Sequence, residues 1–263
     1  MGLDIYAGPV SRYVAGDWQT IIQQAGDASG IPVVSIRPGE SIGDVLSRAL
    51  AEGVQDGVRE VRLSDVRPVT RPIAEWKADL IRSLGLNEDW QDAADGPFYT
   101  DKPGWDGYGA VLLLSAYDEK PSLAPGARVK RLFRPLTVPA VAPGQFADAE
   151  AVKAAAQSPL RYPTLLRGAE WCLPLAGGPA LFTAATPSGK QITMGHLACL
   201  VAELDVLNQR TLRLSPDDME AARQAGPPES GLSVENTAPF GLSVLTATAE
   251  FAAMNKVAWI MDY

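Results

Sequence analysis

The sequence predicts an α/β or α+β fold in a single domain spanning residues 1–263, a mixed β-sheet packed with amphipathic helices. Three observations carry that prediction. Strand-like and helix-like apolar periods alternate through the first third of the chain. A Gly177-Gly178-Pro179 turn separates two apolar segments in the manner of a late β-hairpin, and the last seven residues, Val257 to Tyr263, read as a C-terminal strand returning to the sheet. With 46% hydrophobic residues and no long polar or Ser/Gly-rich linker, the chain can bury one sizeable core without dividing.

The elements follow in order. Leu3, Ile5 and Ala7 alternate with Asp4 and Tyr6, a short strand ended by Gly8-Pro9. From Asp17 an amphipathic helix buries Trp18, Ile21, Ile22 and Ala25 and stops at Gly30 and Pro32. Val33 to Ile36 reads as a strand, Ser41 to Gly53 as a helix on Ile42, Val45, Leu46 and Ala49, and Val58, Val61 and Leu63 as a further extended segment. Thr70 is predicted to cap a helix that buries Ile73, Trp76, Leu80, Ile81 and Leu84, with Pro72 in its first turn and Gly85 closing it.

The centre of the chain is Tyr99 to Tyr117. Pro103, Gly104, Gly107 and Gly109 predict a loop, and the apolar run Ala110 to Ala116 predicts a central strand buried on both faces. Beyond it Arg128, Lys130, Arg131 and Arg134, set among five prolines, predict a long surface loop. Ala147 to Gln157 reads as a helix, Leu165-Leu166 and Trp171 to Leu175 as strand pieces, and Ala180 to Ala184 as the hairpin partner across the glycine turn. Thr193 to Gln209 is a helix on Leu197, Leu200, Val201, Leu204 and Leu207. Ser215 to Glu235 follows as loop, and Pro239 to Asn255 as a last helix.

Charge and composition narrow the function classes. The formal net charge of −8 argues against nucleic acid or an anionic membrane as partner and favours a basic protein. No apolar run approaches the roughly 20 residues of a membrane-spanning helix, and the opening residues lack the basic and apolar regions of a signal peptide, so a cytoplasmic location is expected. In that compartment Cys172 and Cys199 are expected as free thiols. The acidity is local: from Glu88 to Asp106 six carboxylates face Lys102 alone, which is −5 of the total.

No catalytic or cofactor motif emerges. Thr186 to Lys190 ends like a phosphate-binding loop, but Ala184 stands where that loop needs glycine and Gln191 where it needs Ser or Thr, so the segment is a turn and no cofactor is assigned. Gly104, Gly107 and Gly109 lack dinucleotide spacing and precede the apolar run instead of following it. His196, Cys199 and Glu203 have the spacing of one helix face, which suits a metal or a thiol–imidazole pair, but they also read as the polar side of an amphipathic helix. Asp92, Asp95, Asp101 and Asp106 do not follow the alternate-position pattern of a calcium loop, and no metal is assigned. What remains is a recognition surface: Tyr99, Trp105 and Tyr108 as aromatic anchors, Asp101 and Asp106 as charges for a basic partner.

The opening Met1 to Tyr13 with Gly16-Asp17-Trp18, the stretch Phe98 to Pro103 followed by Trp105, Tyr108 and Gly109, and the terminal Ile260 to Tyr263 resemble a family of uncharacterised bacterial cytoplasmic proteins. The resemblance implies bacterial origin and one domain, and its motifs are not catalytic signatures. In type, such acidic proteins are similar to immunity proteins, the antidotes encoded beside interbacterial toxins. The expected function is therefore a non-enzymatic inhibitor that covers a toxin's basic surface. The alternative is a carboxylate-dependent hydrolase of a small polar substrate, with Asp101 or Asp106 as general acid or base beside Tyr99 and Tyr108, which needs a concave pocket. A third expectation, a self-associating structural protein, rests on the late hairpin and the apolar C-terminal strand.

Overall fold

The structure, a computed structural model, describes residues 2–28, 34–36, 61–63, 72–87, 90–126, 128–129, 136–137 and 140–263. Its fold is α/β, organised on a six-stranded mixed sheet. The sheet joins the two ends of the chain, because β1 (Asp4–Gly8) lies antiparallel to β10 (Ala258–Asp262), with Asp4 opposite Asp262 and Gly8 opposite Ala258. Strand β4 (Tyr99–Asp101) adds an edge beside β1, and β7 (Trp171–Leu173), β9 (Gln191–His196) and β8 (Leu181–Ala185) extend the sheet beyond β10. Two short two-stranded sheets stand apart from it: β2 (Val34–Ile36) with β3 (Val61–Leu63), and β5 (Arg128–Val129) with β6 (Leu136–Thr137).

Alternation along β1 and β10 divides the core into two layers, since successive side chains point to opposite faces. Ile5, Ala7, Trp259 and Met261 face one layer, built on α4 (Gly104–Glu119), α5 (Glu150–Ala156), α6 (Pro163–Leu166), α7 (Leu197–Arg210) and α9 (Val234–Asn255). Tyr6, Ala258 and Ile260 face the other, where Trp76 and Leu80 of α3 (Ile73–Ser83) and Val10 of α1 (Val10–Ala15) meet Trp90 and Trp171. Burying Trp259 fully requires a partner for its indole N–H, and Thr248 Oγ1 on α9 accepts it at 2.9 Å.

The central element departs from expectation. Ala110 to Ala116 is not a strand but the middle of α4, and Tyr99 to Asp101 is strand instead of loop. A helix enclosed on every side loses its apolar period and reads as a continuous run, as a buried strand does. Nine residues between Gly107 and Ala116 are buried. The glycines read as loop formers are contact points of this helix: a Cβ at Gly241 of α9 would collide with the Gly107 carbonyl, and one at Gly109 would lie 2.9 Å from Ala147 N. They let α9 and the chain before α5 approach the α4 backbone.

Other boundaries move for identifiable reasons. The helix expected from Asp17 is α2 (Ile21–Ala28), started by an exchange in which Thr20 N–H donates to Gln23 Oε1 at 2.8 Å and Gln23 N–H to Thr20 Oγ1 at 3.3 Å. The hairpin exists, but β9 inserts between β7 and β8, so the partner of β8 is the following strand, through the turn Thr186 to Lys190. Leu165-Leu166 belongs to α6, and Pro216–Ala225, within the expected loop, is helix α8, with Ser215 and Asp218 capping each other's backbone N–H. Helix α9 starts at Val234, five residues before the expected Pro239. Pro72 stands at the N-cap of α3, while Thr70, the helix expected over Ser41 to Gly53, Val58 and the basic residues Lys130, Arg131 and Arg134 lie outside the described residues.

Candidate functional site

The five expected recognition residues divide among different environments. Tyr99 and Asp101 sit on edge strand β4 and form a closed clasp with Arg223 of α8. The Tyr99 hydroxyl donates to Asp101 Oδ2 at 2.9 Å and accepts from Arg223 Nη1 at 2.7 Å, which lies 3.7 Å from the same carboxylate oxygen. Asp101 Oδ1 accepts the Lys102 N–H at 2.7 Å, so both oxygens of this buried carboxylate are engaged. Burial, reinforced by the Asp101 charge, pushes the Tyr99 phenol up. The clasp ties α8 to the sheet edge.

Trp105, in the first turn of α4, is 44% exposed and meets Tyr263 edge to face, ring centres 5.4 Å apart. Tyr263, 49% exposed, donates its hydroxyl to Glu170 Oε2 at 3.0 Å, and Lys190 bridges to the same oxygen at 2.9 Å while lying over the Tyr263 ring. Partial burial and the Glu170 carboxylate push this phenol up to about 12. The result is an exposed aromatic pair in which charged neighbours hold the Tyr263 ring. Asp106 is half-buried beside it in sequence and accepts the Gly144 N–H at 2.8 Å. Tyr108 points into the core and is 7% exposed, so it stands away from the surface the others were expected to share.

The acidic segment is thus largely structural. Asp92 accepts the N–H groups of Val10 at 2.7 Å and Ser11 at 3.0 Å, supplying from a distance the cap that Pro9 cannot give α1. Asp95 is exposed, and Glu88 and Asp89 lie outside the described residues. Half of the six carboxylates, Asp92, Asp101 and Asp106, accept hydrogen bonds from the chain itself.

His196, Cys199 and Glu203 do not act as one polar face. His196 is the N-cap of α7, its Nδ1 accepting the Ala198 N–H at 3.2 Å, and Cys199 is half-buried. Glu203 is only 5% exposed and accepts the N–H groups of Thr164 at 2.8 Å and Leu165 at 2.9 Å, the free donors at the start of α6. Burial outweighs those bonds and pushes its carboxyl up to about 7. Nothing in the spacing alone separates a helix-capping glutamate from a solvated one. Among the described residues no group of three His, Cys, Asp or Glu side chains is placed to hold a metal ion, and no helix is long and apolar enough to cross a membrane.

Sequence reasoning gave no sign of a concavity between three helices. Helices α7, α8 and α9 enclose an open groove of about 750 Å³, with Val201, Leu204, Met219 and Ala247 among its apolar lining and Asp205, Glu220, Arg223 and Glu250 as its charged groups. It forms because no residue of α8 is buried: this polar helix rests on α9 without closing against α7. Neither Asp101 nor Asp106, the proposed acids or bases, lines it. No family model, no curated protein and no solved structure matches the chain, so the fold and these surfaces are what its function has to be argued from.

Proposed function

We propose that this chain is a binding protein of the bacterial cytoplasm, an immunity-type inhibitor that neutralises a toxin by covering a basic surface on it. The observation that carries this reading is the Trp105–Tyr263 pair: two large rings, each close to half exposed, the Tyr263 ring held by Glu170 and Lys190 and meeting Trp105 edge to face. Trp and Tyr dominate binding hot spots because they bury much apolar area and lose few rotamers. Pre-organised rings lose still less on association. The net charge of −8 supports a basic partner by steering its encounter.

The test is affinity capture with the tagged protein from its native host, in moderate salt, beside the Trp105→Ala variant. A stoichiometric basic protein retained by the wild type, released at high salt and absent from the variant, is the expected result. The reading fails if the chain is recovered alone, or if the captured partner is indifferent to Trp105.

A further inference from the structure

We infer that the groove between α7, α8 and α9 is a docking site for a basic amphipathic helix of a partner protein. Three observations lead there, none of them involving the Trp105 surface. First, the groove is apolar along its floor, and its volume of about 750 Å³ is that of a binding cavity, not a packing defect. Second, its rim has one sign of charge in effect. Asp205 and Glu250 are exposed, whereas the lining cation Arg223 is already paired with the remaining lining acid, Glu220, at 2.6 Å, and is also bound by the Tyr99 hydroxyl and Asp101. A carboxylate or phosphate ligand would meet uncompensated like charge, while lysines flanking an apolar stripe would meet complementary charge.

Third, the apolar surface does not end with the cavity. Met254 is 77% exposed and stands four residues after Glu250 and seven after Ala247, on the helical face that lines the groove. An occupant that also covers Met254 is elongated, which fits a helix laid along α9 and not a compact small molecule.

The probe is a synthetic Leu/Lys amphipathic peptide of about 18 residues carrying a fluorophore, titrated with the full chain by anisotropy, with the Leu/Glu peptide of the same pattern as control. Ala202→Trp fills the groove from an exposed position on α7, and the pair Asp205→Lys, Glu250→Lys reverses its rim. We expect saturable binding of the Leu/Lys peptide, weakened at least about tenfold in both variants, with circular dichroism confirming that each is folded. The inference is overturned if both variants bind as the wild type does, which would reduce the interaction to general attraction by an acidic protein. It is equally overturned if the Leu/Glu peptide binds as well, marking an apolar ligand site without charge preference. Light scattering that shows a dimer abolished by Ala202→Trp would make the occupant a second copy of this chain and also refute it.

Discussion

Replacing Glu203 by Gln should change how stability depends on pH more than it changes stability itself. In the folded chain the carboxyl is 5% exposed, and burial, outweighing the two N–H donors of α6 and reinforced by the nearby Glu119, pushes it up from 4.5 to about 7. Between those two values the folded state holds a proton that the unfolded state has released. The unfolded chain therefore binds fewer protons, and unfolding free energy falls as pH rises through the window, levelling once both states are ionised. At about 1.4 kcal/mol per pH unit, the interval corresponds to a loss of about 3 kcal/mol between pH 4.5 and 7. His196 acts with the opposite sign, since burial lowers its pKa from 6.5 and favours the folded state as pH rises, but it is present in both proteins and cancels in their difference. Urea unfolding of wild type and Glu203→Gln at half-unit steps from pH 4.5 to 8 isolates the contribution of this carboxyl. Wild type should lose stability relative to the variant by about 3 kcal/mol across the series, on top of a pH-independent cost in the variant, whose amide can accept only one of the two α6 N–H groups. A difference between the two that does not vary with pH would refute the account of Glu203 as a carboxylate held from water.

Three further outcomes follow from the packing. Gly241→Ala drives a methyl group into the Gly107 carbonyl, a backbone atom that cannot rotate away, and should lower stability by about 1–3 kcal/mol, read as the urea midpoint. Asp92→Ala leaves the Val10 and Ser11 N–H groups without their cap and should cost about 0.5–2 kcal/mol, with altered near-ultraviolet dichroism from Tyr13 and Trp18, which pack on Tyr6 beside α1. Tyr108→Ala should destabilise by about 3–5 kcal/mol, like other buried aromatic truncations, whereas Trp105→Ala should fall within about 1 kcal/mol of wild type in thermal unfolding.

Where the residues themselves show a period of two or a clear helical face, the sequence is legible: β1 and α7 lie where alternation and leucine spacing put them, the apolar C-terminal run is the strand β10, and the turn at Thr186 to Lys190 is a turn. The failures have physical causes. Helix α4 is enclosed by α5, α9 and the sheet, so its apolar residues surround it and no period survives to tell helix from strand. Helix α8 has the opposite composition, with Met219 as its one large apolar side chain, and shows no apolar period, although Ser215, Pro216 and Asp218 are a helix-start signature. The alternation of Ile192 and Met194 in β9 was absorbed into the helix that begins at Leu197, since one apolar step cannot be assigned to a period by itself.

Charge was the least legible property, because a sequence shows ionisable groups but not what satisfies them. Asp92, Asp101 and Asp106 look like one acidic face when written in a line, yet they bond respectively to α1, to the Arg223 clasp and to the Gly144 amide. A carboxylate that accepts two backbone N–H groups has its field spent locally, and a rim carboxylate such as Glu250 does not. On the reading proposed above, the charge offered to a partner lies less in the segment where acids are dense than at the mouth of the groove, where Asp205 and Glu250 stand exposed and the lining cation Arg223 is already paired. If that is so, reversing Asp205 and Glu250 should weaken a basic partner more than reversing the denser pair Asp92 and Asp101, whose substitution acts first on folding; surface plasmon resonance of the captured partner, with unfolding curves for each variant, decides between them. Equal loss of binding from both pairs in fully folded proteins would return the recognition surface to the loop.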